Sequence, residues 1–173
     1  MDKVKVLSPA KINLDLIVEN KRKDNFHNIN SLIQPINFYD EIHIERSESA
    51  KLIDLDFPDK IVKYDDNLIV KAARSFFKNF KVSGGIKISV KKRIPIGSGM
   101  GGGSSNAAST LIGLSKLFNI DRFSDLEKIG LELGSDVPFF LYSRTSRVSG
   151  RGEIIKPFNI DEQMKYLIIL PGI

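Results

Sequence analysis

The sequence has no cysteine and no tryptophan, only two histidines, and no apolar run longer than the five residues Tyr166 to Leu170. Without cysteine, a disulfide framework and any thiolate-bound metal are excluded, in keeping with a reducing compartment. A run of five is far short of the roughly 20 apolar residues that a bilayer-spanning helix needs. The first residues also lack the apolar stretch of a secretion signal. These absences lead to the expectation of a cytoplasmic protein with no membrane partner and no protein-held metal. Neither sign of charge dominates: 26 Lys and Arg stand against 21 Asp and Glu, a formal net charge of +5 over 173 residues. The basic residues are dispersed, with short clusters at Lys21-Arg22-Lys23 and Lys91-Lys92-Arg93, which read as solvated faces. Aromatics do not interleave with them as on a strand-based RNA platform, so nucleic acid is not the expected partner. A phosphorylated metabolite suits the positive balance equally well. A chain of this length defaults to one domain and buries roughly 70% of its unfolded surface.

What the chain does have is glycine in one place. In Pro95-Ile96-Gly97-Ser98-Gly99-Met100-Gly101-Gly102-Gly103-Ser104-Ser105-Asn106, five glycines fall within seven positions. A helical pattern (Ala107, Ala108, Leu111, Ile112, Leu114) follows at once. Glycine tolerates φ > 0 and carries no side chain, so such a loop can turn its amides toward a ligand. The first amides of the next helix lack intrahelical partners and sit at the positive end of its dipole. Together these features predict a phosphate site. No Lys-Ser or Lys-Thr follows the last glycine, so it is not a Walker A loop. The G-x-G-x-x-G match at Gly97, Gly99 and Gly102 is weak without an acidic residue closing a βαβ unit. Ser104-Ser105-Asn106 supplies N-cap residues for the helix.

Along the rest of the chain, residues 3–7 alternate as a strand, Ser8 to Asn13 interrupts it, and Leu14 to Val18 resumes it. Lys11 stands on that break, where a side chain can be aimed at a site. Lys21 to Asn28 reads as a polar loop ending in Phe26-His27. Ile29 to Ile36 is apolar, and Tyr39 to Arg46 alternates as a hairpin arm with His43 on its polar phase. Asp65-Asp66-Asn67 offers caps for a helix bearing Leu68, Ile69, Ala72, Ala73 and Phe76 on one face. Ile86 to Val90 is a strand that leads into the glycine loop, whose helix runs to about Phe118. Ser124 to Glu127 reads as a capping box, and Gly134 as the stop of that helix. Asp136 then precedes the apolar run Phe139 to Tyr142, read as a strand. Ser146 to Gly152 reads as a turn and Lys165 to Leu170 as a final strand. The alternation supports an α+β fold with helices packed on one side of a mixed sheet.

Four stretches in order resemble one family, the GHMP kinases: Ser8-Pro9-Ala10-Lys11-Ile12-Asn13-Leu14, Phe26-His27, Pro95 to Ala108, and Gly134-Ser135-Asp136-Val137-Pro138. Gly150-Arg151-Gly152-Glu153 is similar to a Gly-x-Gly-Glu turn of the same family. The resemblance implies a GHMP-kinase N-terminal domain of the ribosomal protein S5 domain 2-like fold over residues 1–163. It implies that residues 164–173 open a C-terminal domain otherwise missing here. The implied activity is ATP-dependent phosphorylation of the tertiary 2-hydroxyl of a cytidine diphosphate substrate in non-mevalonate isoprenoid synthesis, with Mg2+ borne by the nucleotide. By the same resemblance, Asp136 is the general base with Lys11 beside it. Pro95 to Ser105 and Asn67 contact the nucleotide, and Asn13, Phe26 and His27 contact the substrate. Two other readings remain: another small-molecule kinase of the superfamily, and a non-catalytic RNA-binding domain of the S5-like fold.

Overall fold

The alternation of lysine and valine at the start of the chain becomes an inside and an outside. Val4 pairs with Ile44 and Val6 with Ile42, all toward the core, while Lys3, Lys5 and Leu7 face out. The computed structural model describes residues 2–21, 25, 27–48, 51–58, 61–160 and 164–170. Among these residues, β1 (Lys3–Lys21) and β2 (His27–Ser47) form a long antiparallel hairpin. The interruption expected at Ser8 to Asn13 is instead a pair of register shifts inside one continuous strand, between Pro9 and Ala10 and between Asn13 and Asp15. Pro9 has no N–H to give the ladder. The Lys11 amide turns away from β2 and donates to the Met100 carbonyl at 3.0 Å. A bulge of this kind redirects a strand without ending it.

β3 (Ile53–Asp56) was not legible in a charged stretch; only Ile53 and Leu55 mark it. It pairs in parallel with β4 (Gly85–Lys91), and α1 (Leu68–Phe80) lies between the two in the chain. One edge of β2 is taken by β1. The other is shared by β4, along Glu41 to Ser47, and by β5 (Ser146–Gly150), along Ile29 to Ile33. The sheet therefore forks opposite Gln34 to Asp40. β5 pairs with β6 (Ile154–Pro157), so the turn expected over 146–152 is a hairpin whose reversal is Arg151 to Glu153.

The helices cover one face. Asn67 caps α1, its side chain accepting from the Ile69 amide at 3.0 Å, and Ile69, Val70, Ala72, Ala73, Phe76 and Phe77 are buried. α2 (Gly102–Phe118) is enclosed on nearly every side because its residues are small. At Gly113 a side chain would bring a carbon within 2.7 Å of Ile44 Cδ1, and this bare spot lets helix and sheet close. α3 (Phe123–Leu133) begins at Phe123 with Arg122 as its unbonded cap, so the expected capping box is not formed. Glu127 bonds the Tyr142 hydroxyl instead. Gly134 ends α3 as expected, with extended rather than left-handed backbone.

The apolar run expected as a strand is the helix α4 (Val137–Tyr142), with Pro138 in its first turn, where a fixed φ and missing N–H cost nothing. A short apolar run does not distinguish strand from helix by periodicity. Residues 164–170 join no ladder among the described residues, and Leu167 and Ile169 are exposed. Of the expected 21–28 loop, residues 22–24 and Phe26 lie outside the described residues, as do Pro171-Gly172-Ile173.

Candidate active site

At the end of β4 the ladder with β2 stops at Glu41–Lys91, and a side chain takes over. Asp40 points to the core side of β2, in phase with Ile42 and Ile44, and is fully buried. One carboxylate oxygen accepts from the amides of Arg93 (2.7 Å) and Ile94 (2.8 Å). The other accepts from Lys92 Nζ (2.7 Å) and Asn106 Nδ2 (2.9 Å). Asn106 also reaches the Ser8 hydroxyl at 2.9 Å, which bonds that of Ser105 at 2.8 Å. A buried charge is tolerated when paired and fully hydrogen-bonded. Here the pairing ties the strand end, the helix and β1 together beneath the glycine loop.

Above this base, Gly97, Gly99 and Gly101 take φ of 77°, 73° and 72°. Gly101 is the N-cap of α2. The expected caps Ser104 to Asn106 lie inside the first turns, because Ser105 and Asn106 spend their side chains sideways on Ser8 and Asp40. The Ser98 hydroxyl donates to the Pro95 carbonyl at 2.8 Å and closes the turn. A cleft of about 400 Å³ opens over the loop, lined by Pro95 to Ser104 with Asn67, Leu68 and Lys92 at its sides. The volume is within the range of small-molecule sites. Ser105 is fully buried, and its amide is taken by the Gly101 carbonyl at 2.8 Å. It belongs to the foundation of the loop rather than to the cleft lining.

The loop and the expected catalytic pair are joined through Lys11. Its backbone holds Met100, its Nζ donates to Asn13 Oδ1 at 2.6 Å and lies 3.9 Å from Asp136 Oδ2. Asn13 is in turn oriented by donating to the Ser31 hydroxyl at 2.7 Å. Asp136 occupies the N-cap position of α4 but makes no capping bond, so its carboxylate is left facing Lys11. Phe140 of α4 packs where a Gly101 side chain would stand, at 2.7 Å. Lys11, Asn13, Asp136 and the loop are thus one constellation.

His27 is not part of it. It stands exposed opposite Lys21, six residues before Ile33, the partner of Asn13, or roughly 20 Å along the strand. His43 is exposed on the outer face. Sequence reasoning missed Asp40 and Lys92, although a carboxylate on the inward parity of a strand demands partners. The triplet read as a solvated face hides Lys92 against Asp40, while Arg93 pairs with Glu41 at 2.8 Å. No group of three acidic or histidine side chains gathers as a metal cage among the described residues. No helix among the described residues is long and apolar enough to cross a membrane.

Residues 67–144 match the family of the GHMP kinases N terminal domain. The chain is 44% identical over 170 residues to 4-diphosphocytidyl-2-C-methyl-D-erythritol kinase of Prochlorococcus marinus (strain MIT 9301), covering 97% of this chain and 54% of that protein. It is 39% identical over 174 residues to the enzyme of the same name from Haemophilus ducreyi, covering 100% and 61%. The chain spans little more than half the length of the curated relatives it matches. A crystal structure of 4-(cytidine 5'-diphospho)-2C-methyl-D-erythritol kinase superposes with a TM-score of 0.78 at 36% identity, over 90% of this chain and 55% of that one. Mevalonate kinase of Methanococcus jannaschii shares the fold, with a TM-score of 0.68 at 14% identity over 91% of this chain and 56% of that one. Fold, loop and sequence agree in what they resemble: the chain has the GHMP-kinase N-terminal fold, and its residues 67–144 match that family's N-terminal domain.

Proposed function

We propose that the protein carrying this chain transfers the γ-phosphoryl group of ATP to the 2-hydroxyl of 4-diphosphocytidyl-2-C-methyl-D-erythritol, in the non-mevalonate route to isoprenoid precursors. Residues 1–163 form the nucleotide- and substrate-binding domain, and residues 164–173 open a second one. The observation that carries the reading is the constellation at Lys11: one residue holds the loop by its backbone and faces Asp136 with its ammonium.

Phosphoryl transfer asks mainly for positioning and electrostatic stabilisation. The loop and the first amides of α2 cradle the polyphosphate, and Asn67 and Leu68 flank the nucleoside side of the cleft. Asp136 accepts the proton of the acceptor hydroxyl as its oxygen bonds the γ-phosphorus. The bond to the β–γ bridging oxygen breaks, and ADP leaves. Lys11, kept in place by Asn13, stabilises negative charge on the acceptor and on the phosphoryl oxygens. Magnesium, when bound, neutralises charge on the phosphates. His27, far along the hairpin, and Phe26 would meet the cytosine of an elongated substrate, for which a phenylalanine offers a stacking ring. The cytoplasm is the proposed location.

Asp136→Asn tests the reading. Transfer should fall by about 10²–10⁴-fold, the usual worth of a positioned general base. Affinity for a non-hydrolysable ATP analogue should stay within about twofold, since the amide cradle is untouched. Unchanged turnover would overturn the assignment. Failure of CDP to compete with the acceptor would point to a different small-molecule substrate of the same superfamily.

A further inference from the structure

The Gly-x-Gly-Glu motif has so far no task. The structure places it against the back of Asp136. Gly152, buried in the reversal between β5 and β6, has φ +123°, a conformation that side-chain-bearing residues rarely adopt. A Cβ there would stand 2.6 Å from the Ser135 carbonyl oxygen and 3.0 Å from Ser135 Cβ. The first of these is backbone, which cannot swing aside as a side-chain tip does. Ser135 immediately precedes Asp136, inside the turn closed by the Val137 amide on the Gly134 carbonyl at 3.1 Å.

The reversal is itself tied down. Glu153 folds back so that Oε2 accepts from the Arg151 amide at 2.6 Å, and it fills the space beside Gly150, where a Cβ would lie 2.7 Å from its carboxylate. The Gly152 amide donates to the Ser149 carbonyl at 3.2 Å. Asp136, by contrast, makes no cap bond to α4, so nothing in its own helix aims the carboxylate. Its direction follows from the backbone on which it sits.

We infer that the Gly150–Glu153 reversal is a positioning element for Asp136, with Gly152 as the point of contact and Glu153 as the tie that keeps it rigid. The inference rests on the reading of Asp136 as the proton acceptor. Gly152→Ala pushes Ser135 and turns the carboxylate away from Lys11 and from the acceptor. Misplacement by about 1 Å costs on the order of 100-fold in rate.

The test compares Gly152→Ala, Glu153→Ala, Glu153→Gln and Asp136→Asn in the catalytically active protein. Gly152→Ala should lower kcat by at least about tenfold, with KM for ATP within about twofold, because the glycine loop lies on other elements. Glu153→Ala adds no atoms and should lower kcat severalfold with the same unchanged KM. Glu153→Gln, which keeps an acceptor for the Arg151 amide, should restore it. If Gly152→Ala does not fold, the Glu153 pair decides alone. Wild-type kcat in Gly152→Ala and Glu153→Ala, alongside an inactive Asp136→Asn, overturns the inference and leaves the base assignment standing. An active Asp136→Asn overturns the base assignment itself, and the inference with it.

Discussion

Two lysines beside the glycine loop show how one residue type is put to opposite uses. Lys92 donates to Asp40 at 2.7 Å and to the Ile94 carbonyl at 2.5 Å, and through these bonds it serves the scaffold. Lys11 lies 3.9 Å from its acidic partner, a contact loose enough to be reorganised by a ligand. Asp40→Ala should therefore act mainly on stability, costing about 3–5 kcal/mol, because it strands the Lys92 charge and leaves two backbone amides and Asn106 without their acceptor. Urea unfolding measures that cost. Binding of an ATP analogue should weaken in parallel, since the loop loses the anchor beneath both of its ends. A variant that unfolds at the wild-type midpoint would show that Asp40 is not the tie described. At this scale Asp136 and Lys11 were found through resemblance, since neither spacing nor composition singles out one lysine among many. Asp40 could have been singled out by parity, because it stands in phase with the buried Ile42 and Ile44.

The elements that periodicity revealed are those with enough length to show a period. α1, α2 and β4 were read from their apolar spacing, and each is present close to its expected bounds. β3, at four residues, is too short to show one, and the sequence of α4 reads as a strand because four apolar residues in a row fit either geometry. Proline and a polar run look like a break in β1, whereas the strand continues and the Lys11 amide bonds the Met100 carbonyl instead of the ladder. The loop offers a contrast between its own glycines. At Gly97 a side chain would find open space, so Gly97→Ala pays only for the left-handed backbone, about 1–2 kcal/mol. At Gly101 the same backbone cost is joined by a Cβ placed 2.7 Å from the Phe140 ring. Gly101→Ala should reduce ATP-analogue affinity by at least about tenfold more than Gly97→Ala, a difference of roughly 1.4 kcal/mol or greater. Calorimetric titration of both variants checks it, and equal affinities would remove the packing against α4 from the account.

For the molecule as a whole, the hairpin of β1 and β2 is the spine, and Asp15 locks it across three strands. Its carboxylate accepts from the Leu32 amide of β2 and from Arg147 of β5. Those bonds, the amide first, hold its pKa below the ordinary 3.8. A carboxyl with a lowered folded pKa stabilises the fold above its unfolded value, and the contribution disappears as pH falls through the folded one. Thermal stability should accordingly drop below about pH 4 in part through this residue, and Asp15→Asn should flatten that acid limb. Melting curves of the two proteins between pH 2 and pH 6 decide it; parallel limbs would assign the acid sensitivity elsewhere. The overall plan, a mixed sheet with helices on one side, followed from alternation, but the forked sheet did not, since only long-range pairing reveals which strands share an edge. The cradle over α2 has a different relation to acidity. Its donors are peptide nitrogens, which hold their protons across the whole range in which proteins stay folded, and only a proline replacement deletes one. If the loop holds phosphate as proposed, that hold is tuned mainly through the curvature of the main chain, so the bare positions of the loop weigh on affinity alongside the Lys11 ammonium.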